Sequence, residues 1–263
     1  MKKLILRIAI ALVLLLALAL LSISLFLDGA VKRAVESFGP KYTKVDVKLK
    51  SVSLRLLSGS GKLTGLFVGN PDGFKTTSAI TMSNATLSIN TGSVFSDKVV
   101  INFITVNAIE VTYEANLTDS MSSNLRKIQS NLAETTAGSS STQTNGKAAK
   151  KLQVDDFLIR GGRIHVGLTT PVGSQTATLP LPTIHLTDLG AGPEGIAPTE
   201  LANKILDAIE KETTKSVTSK LGSVKESATT VTKGLGKGST NVFNKLTKGI
   251  GDIFRKKKTG TNE

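Results

Sequence analysis

The chain has 263 residues and contains no Cys, so disulfides and thiolate metal sites are both excluded. Its formal net charge of +13 points toward anionic partners such as a membrane surface, nucleic acid or an acidic polymer. Aromatic residues make up only 4% and Trp is absent, which argues against single-stranded nucleic acid, whose bases need rings to stack on.

Lys2, Lys3 and Arg7 precede a predominantly apolar run over residues 8–27. A bilayer-spanning helix needs about 20 such residues, whereas the apolar core of a signal peptide is shorter, about 7–15. Ser22-Ile23-Ser24 imitates a cleavage site, but the apolar run continues through Leu25-Phe26-Leu27. We therefore expect an uncleaved anchor with its N-terminal cations in the cytoplasm and everything after Asp28 outside it. Residues 1–39 form the anchor and a short linker helix in this reading, ended by Gly39-Pro40.

Residues 40–118 alternate apolar and polar side chains with period two, the mark of half-buried strands. Val45, Val47 and Leu49 carry the apolar stripe first. Beyond Ser51 it moves to Val52, Leu54 and Leu56, which suggests a β-bulge. Gly59 and Gly61 mark a turn, residues 63–68 a return strand, and Asn70-Pro71-Asp72-Gly73 a tight turn. Ile80, Met82, Leu87 and Ile89 predict a further strand. Residues 99–106 are nearly all apolar, so both of their faces should be covered, and Ile109, Val111 and Tyr113 return to clean alternation.

A weak helix is expected over residues 119–132, followed by a polar low-complexity insertion over residues 133–150. The second β-region, residues 151–190, opens on Leu152-Gln153-Val154 and Leu158-Ile159. Gly161-Gly162 reads as a hairpin turn, residues 163–168 as its return strand, and Thr176 to Leu189 as a last strand. Pro180 and Pro182 restrict the first part of that segment to a sheet edge or an irregular crossing. A helix over residues 191–215 starts at Pro198 or Thr199, with Leu201, Ile205, Leu206 and Ile209 on its apolar face. The tail, residues 216–263, is basic and glycine-rich. Its apolar heptad stripe and the cluster Arg255, Lys256, Lys257 and Lys258 suit the surface of an anionic membrane.

The segment LSGSGKLTGLFVGNPDGF (residues 57–74), followed by SINTGSVFSDKVVINFITVNAIEVTYE (residues 88–114), resembles the repeat unit of the AsmA family of bacterial envelope proteins. A weaker echo covers residues 152–190. The resemblance implies a single-pass protein of the bacterial inner membrane whose β-rich C-terminal part is periplasmic and takes part in lipid transport and outer-membrane biogenesis. The expected fold class is α+β: one transmembrane helix, a curved antiparallel β-sheet forming a short β-groove, and C-terminal amphipathic helices. Residues 42–114 and 152–190 should share that sheet, because isolated hairpins are marginal in water.

No motif in the chain carries catalysis. His165 and His185, with Asp155, Asp156 and Asp188, match no metal-ligand spacing. Asp155 and Asp156 are adjacent on a strand and should not converge. Ser58 to Lys62 lacks the spacing of a phosphate-binding loop. We therefore expect no enzyme, no cofactor and no metal. Val99, Ile101 and Phe103 are the candidate lipid-facing residues, and the same side chains fit an ordinary dry core equally well. Membrane lipid is the expected partner, as anchor and as cargo, and nucleic acid is not expected. The alternative is a structural or assembly factor of the envelope that holds a protein partner and carries no lipid.

Overall fold

The computed structural model describes residues 2–115, 123–139, 150–170 and 173–232. Three helices, α1 (Lys2–Thr43), α2 (Asn124–Ser139) and α3 (Pro198–Thr232), accompany eight strands. The strands are β1 (Val47–Arg55), β2 (Ser60–Gly69), β3 (Ser78–Ile89), β4 (Lys98–Ala115), β5 (Lys151–Arg160), β6 (Gly162–Thr170), β7 (Gly173–Leu181) and β8 (Ile184–Leu189). All eight belong to one sheet, so the two β-regions are joined and the fold is α+β.

The sheet is mixed, not antiparallel throughout as the sequence suggested. Strands β1 to β4 form an antiparallel meander. Strand β5 lies parallel to the first half of β4, and β6 lies parallel to its second half. The reason is α2: β4, α2 and β5 form a crossover unit, and a helical crossover returns the chain in the same direction. The hairpin expected at Gly161-Gly162 is likewise absent. Gly161 alone separates β5 from β6, too little chain for a two-residue turn, and it adopts a φ of 65° that lets the strand run on. Strands β7 and β8 also follow one another in line, antiparallel to β6 and β5 and broken at Pro182-Thr183. They form a sheet edge, one of the two placements that Pro180 and Pro182 allow.

The slip of the apolar stripe near Ser51 is present, but no residue is inserted. Leu49 pairs with Leu66 and Ser51 with Thr64, so the register is unchanged across it. The same slip occurs in each neighbouring strand at the same level. One cross-strand row on the buried side reads Leu49, Leu66, Met82, Ile109, Gly162 and Leu181. The next row reads Val52, Leu63, Ala85, Val106, Ile159 and Ile184. In every strand two residues separate these rows instead of one. The skipped residues are polar or small, among them Lys50-Ser51, Thr64-Gly65, Ser83-Asn84 and Asn107-Ala108. Three of them hold positive φ: Gly65 at 65°, Ala108 at 51° and Gly161 at 65°. A left-handed residue turns the strand about its own axis, so side chains three apart reach the same side. Because the slips are aligned, the ladder resumes in the same register after a break of pairing at the crease, and one apolar core spans both sides.

Helix α1 closes the free edge of β1. The amide of Leu49 donates to Glu36 Oε1 at 3.0 Å and that of Leu54 to Asp28 Oδ1 at 2.7 Å. Lys32 Nζ donates to the carbonyl of Lys50 at 3.1 Å. Polar side chains of the helix thus satisfy backbone groups that would otherwise offer a template for strand pairing. The helix does not stop at Gly39-Pro40 but runs through to Thr43. Gly39 fits because Val47 occupies the space beside it, where a Cβ would come within 2.7 Å. Pro40 forfeits only one bond of the last turn, and Lys44, at a φ of 56°, caps the end by donating to the Pro40 carbonyl.

Helix α2 is seated by a buried polar cluster. Asn124 accepts from the Glu114 amide at 3.0 Å and donates to the Thr112 carbonyl and to Asn70 Oδ1. The Glu114 carboxylate accepts from the amides of Lys75 and Thr76 and from the Thr76 hydroxyl. Because Leu125, Ile128 and Leu132 are buried, the helix persists through residues 133–139, which the sequence assigned to the low-complexity insertion. Residues 140–149 lie outside the described residues. Helix α3 begins with Pro198 at its first position, as expected, and buries Leu201, Leu206, Ile209 and Val217. It continues past residue 215, and the tail cluster Arg255, Lys256, Lys257 and Lys258 lies outside the described residues.

Candidate functional site

The apolar side of the sheet is covered unequally. Between the crease and the end near Tyr113 it lies under α2 and α3, and Val111 and Ile164 are 0% exposed. Arg126 of α2 donates to Glu210 of α3 at 2.9 Å, and the Thr214 hydroxyl donates to the same carboxylate at 3.1 Å. The first contact joins the two helices above Tyr113, and the second, within α3, holds the Glu210 carboxylate in place. Burial pushes the Tyr113 phenol above its ordinary pKa, and the nearby Glu210 carboxylate pushes the same way, against the hydrogen bond with Thr214 and the charge of Arg126.

Beyond the crease, toward the end where β1 meets Asp28, the cover thins. Val106 and Ile159, next to the crease, are buried, and so are Val154 and Phe157 farther along β5, which α3 still reaches. Leu54, Leu63, Val99, Ile101, Ile104 and Leu152 are only half-buried. The shallow, partly open surface of this half is built from β1, β2 and β4, with Leu152 at the start of β5, while the rest of β5 is covered. Gly61 is needed in it, because a Cβ there would come within 2.8 Å of both the Leu54 and the Leu87 side chains. The expectation that residues 99–106 would be covered on both faces does not hold: Val99, Val100 and Ile101 are half-buried, and Asn102 and Phe103 are exposed.

The candidate lipid-facing residues are not all brought together. Ile101 packs against the core cluster, and Val99 lies two residues before it on the same side of the strand. Phe103 is 44% exposed. A second slip of the stripe explains the separation. The core-side residues step from Ile101 to Ile104 in β4, from Val154 to Phe157 in β5, and from Leu189 to Leu186 in β8, where Asp188 holds a φ of 56°. Phe103 therefore falls among the residues skipped by the core. Leu54, Leu63, Ile104 and Leu152 were not among the lipid-facing candidates read from the sequence. Polar pairs such as Asp155-Asp156 and Thr187-Asp188 were the signal that marks this second slip in the neighbouring strands.

His165 and His185 stand on different strands. His165 Nε2 lies 3.7 Å from Glu110 and His185 Nε2 lies 3.3 Å from Asp156, both at exposed positions. Asp155 accepts from Gln153 Nε2 at 2.7 Å and does not join Asp156 in a shared site. Among the described residues no group of His, Cys, Asp and Glu side chains is placed to hold a metal ion.

Ile10, Leu14, Leu15 and Phe26 of α1 are large, apolar and exposed. Among the described residues no helix is long and apolar enough to cross a membrane. The side chains of most of residues 8–25 lie outside the described residues, so the expected span falls largely there. No family model, curated protein or solved structure matches this chain.

Proposed function

We propose that this chain is a non-enzymatic, membrane-anchored protein that binds lipid acyl chains on the open half of its sheet. The observation that carries this reading is the half-buried apolar surface of Leu54, Leu63, Val99, Ile101 and Ile104. It lies at the end of the sheet from which the exposed apolar part of α1 continues. An acyl chain laid on that surface gains about 0.8 kcal/mol for each methylene removed from water. The apolar run of residues 8–27 acts as the anchor, with the sheet in the periplasm of a bacterial envelope, as the AsmA resemblance implies. Handling of lipid during outer-membrane biogenesis is the role this suits.

The test is mass spectrometry of lipids that co-purify with the full chain, paired with Ile101→Asp. Lipid bound to the wild type and lost from a folded Ile101→Asp variant is the expected result. A wild-type chain that carries no lipid overturns the reading. A second reading, an assembly factor for an envelope protein, draws on the outer edge of β7 and β8, which pairs with no strand among the described residues. Photo-crosslinks from Thr178 to another protein, with no lipid on the wild-type chain, would favour it.

A further inference from the structure

Two exposed apolar side chains stand at the same end of the sheet. Leu57, in the turn of residues 56–59 between β1 and β2, is 81% exposed, and Phe95, after the 3-10 turn Thr91–Ser93, is 80% exposed. The two turns are fastened to each other: the Ile89 amide donates to the Gly59 carbonyl at 2.6 Å, just before the chain enters the Phe95 loop. Helix α1 sets the level of this end. Gly39 lies against Val47, Glu36 against Leu49 and Asp28 against Leu54, so helix and strand run antiparallel. Moving toward the N-terminus of α1 is therefore moving toward the tip of β1. Leu57 lies three residues past Leu54, up to about 10 Å farther at strand spacing. The same distance along a helix at about 1.5 Å per residue reaches roughly Leu21, inside the apolar run.

Cations surround these tips. Lys150 Nζ reaches the carbonyl of Val94 at 2.6 Å, which places its charge beside Phe95. Lys151 follows it in the chain, and its amide is fixed to the Asp97 carbonyl at 2.9 Å. Lys98 reaches the Gly192 carbonyl, and Arg55 ends β1. Asp97 and Glu194 are the acids nearest the lysines in sequence, and Asp28 stands beside Leu54, so the four cations outnumber the three acids. An apolar side chain flanked by basic ones is the pattern of a bilayer interface, where the apolar group enters the acyl boundary and the cations stay at the phosphates.

We propose that Leu57 and Phe95 are inserted into the interface of an anionic bilayer, docking the open end of the sheet directly on the membrane. This rests on the reading of residues 8–27 as the anchor and adds a second, independent membrane contact. It would close the gap between bilayer and apolar surface, so that an acyl chain could pass between them without meeting water.

The absence of Cys makes a clean test available. Single variants Leu57→Cys, Phe95→Cys, Asp72→Cys and Leu15→Cys of the full chain are labelled with an environment-sensitive fluorophore. Each is reconstituted in vesicles of phosphatidylethanolamine and phosphatidylglycerol, with circular dichroism verifying the fold. Labels at 57 and 95 should be quenched more by a lipid-phase than by an aqueous quencher. The label at 72, in the loop at the opposite end of the sheet, should show the reverse. If 57 and 95 respond like 72 while 15 is protected in lipid, the docking proposal is overturned and the anchor stands. If 15 is also open to the aqueous quencher, the anchor fails and the docking proposal with it.

Discussion

The two halves of the sheet are made from similar sequences and end in different states. On one side of the crease, Val111 and Ile164 are sealed under α2 and α3. On the other, Ile101 and Ile104 are equally apolar and only half-buried. Alternation and hydrophobicity do not distinguish the two halves. What distinguishes them is how far the helices reach: α2 and α3 cover the near half, whereas beyond the crease α3 reaches β5 and β8 and leaves Ile101 and Ile104 of β4 at its margin. The buried cluster of Glu114, Asn124 and Asn70 fixes α2 at one end, and the pair Arg126–Glu210 brings α3 onto it. A polar network at one end of the sheet thus decides which apolar surface becomes core and which stays open.

The largest expected effect tests this contrast directly. Ile164→Asp places a charge in a sealed site, where an unpaired charge costs several kcal/mol or more, comparable to a domain's whole stability of about 5–15 kcal/mol. It should abolish the cooperative thermal transition. Ile101→Asp should keep that transition, because its charge can reach water. Equal loss in both variants would mean that the two halves are one dry core.

A smaller effect is expected at the cluster that seats α2. Glu114→Ala leaves the amides of Lys75 and Thr76 and the hydroxyl of Thr76 without their acceptor. Lys75 and Thr76 are exposed and water can take over their donors, so each lost bond costs about 0.5–1.5 kcal/mol and the urea midpoint should fall modestly. The half under the helices should also lose amide-exchange protection before the half beyond the crease does.

A pH effect should follow from Tyr113. Its pKa is raised in the folded protein, chiefly by burial, above the ordinary value of 10.0. The unfolded chain ionises first, so the stabilisation is complete below about pH 10 and is lost as the pH rises through the folded value. Chemical denaturation followed from neutral to alkaline pH should show this decline, and Tyr113→Phe should make it shallower. An unchanged alkaline limb in Tyr113→Phe would assign the decline to other groups.

The smallest effect belongs to the crease itself. Ala108 holds a φ of 51°, where an L-residue with a Cβ is strained by about 1–2 kcal/mol. Ala108→Gly relieves that strain and raises unfolded-chain entropy by about 0.4–1 kcal/mol. The net should be a slight gain, about 0.5 kcal/mol in urea unfolding. A loss would show that the Ala108 methyl contributes contacts that outweigh its backbone strain.

Much of the fold was legible one strand at a time. Alternation located β1, β2, β3 and the second half of β4, and Pro180 and Pro182 narrowed their segment to an edge or an irregular crossing. The slip near Ser51 was also visible. Its meaning was not, because a slip in one strand reads as a bulge. Only a view across the strands reveals that Gly65, Ala108 and Gly161 turn together. The directions of β5 and β6 were equally hidden: Gly161-Gly162 carries turn chemistry, and local sequence cannot say whether a left-handed glycine reverses a strand or lets it continue.

The sequence by itself determined the apolar stripes of β1 and of the second half of β4, the apolar face of α3 and the absence of thiol chemistry, since all of these follow from side-chain type and short-range geometry. The tertiary structure alone decided that the sheet is mixed and creased, that Phe103 parts from Ile101, and that one half of the apolar side stays open. Each of these depends on partners distant in the chain: a crossover helix sets strand direction, register aligns the slips, and buried polar contacts determine where the covering helices sit.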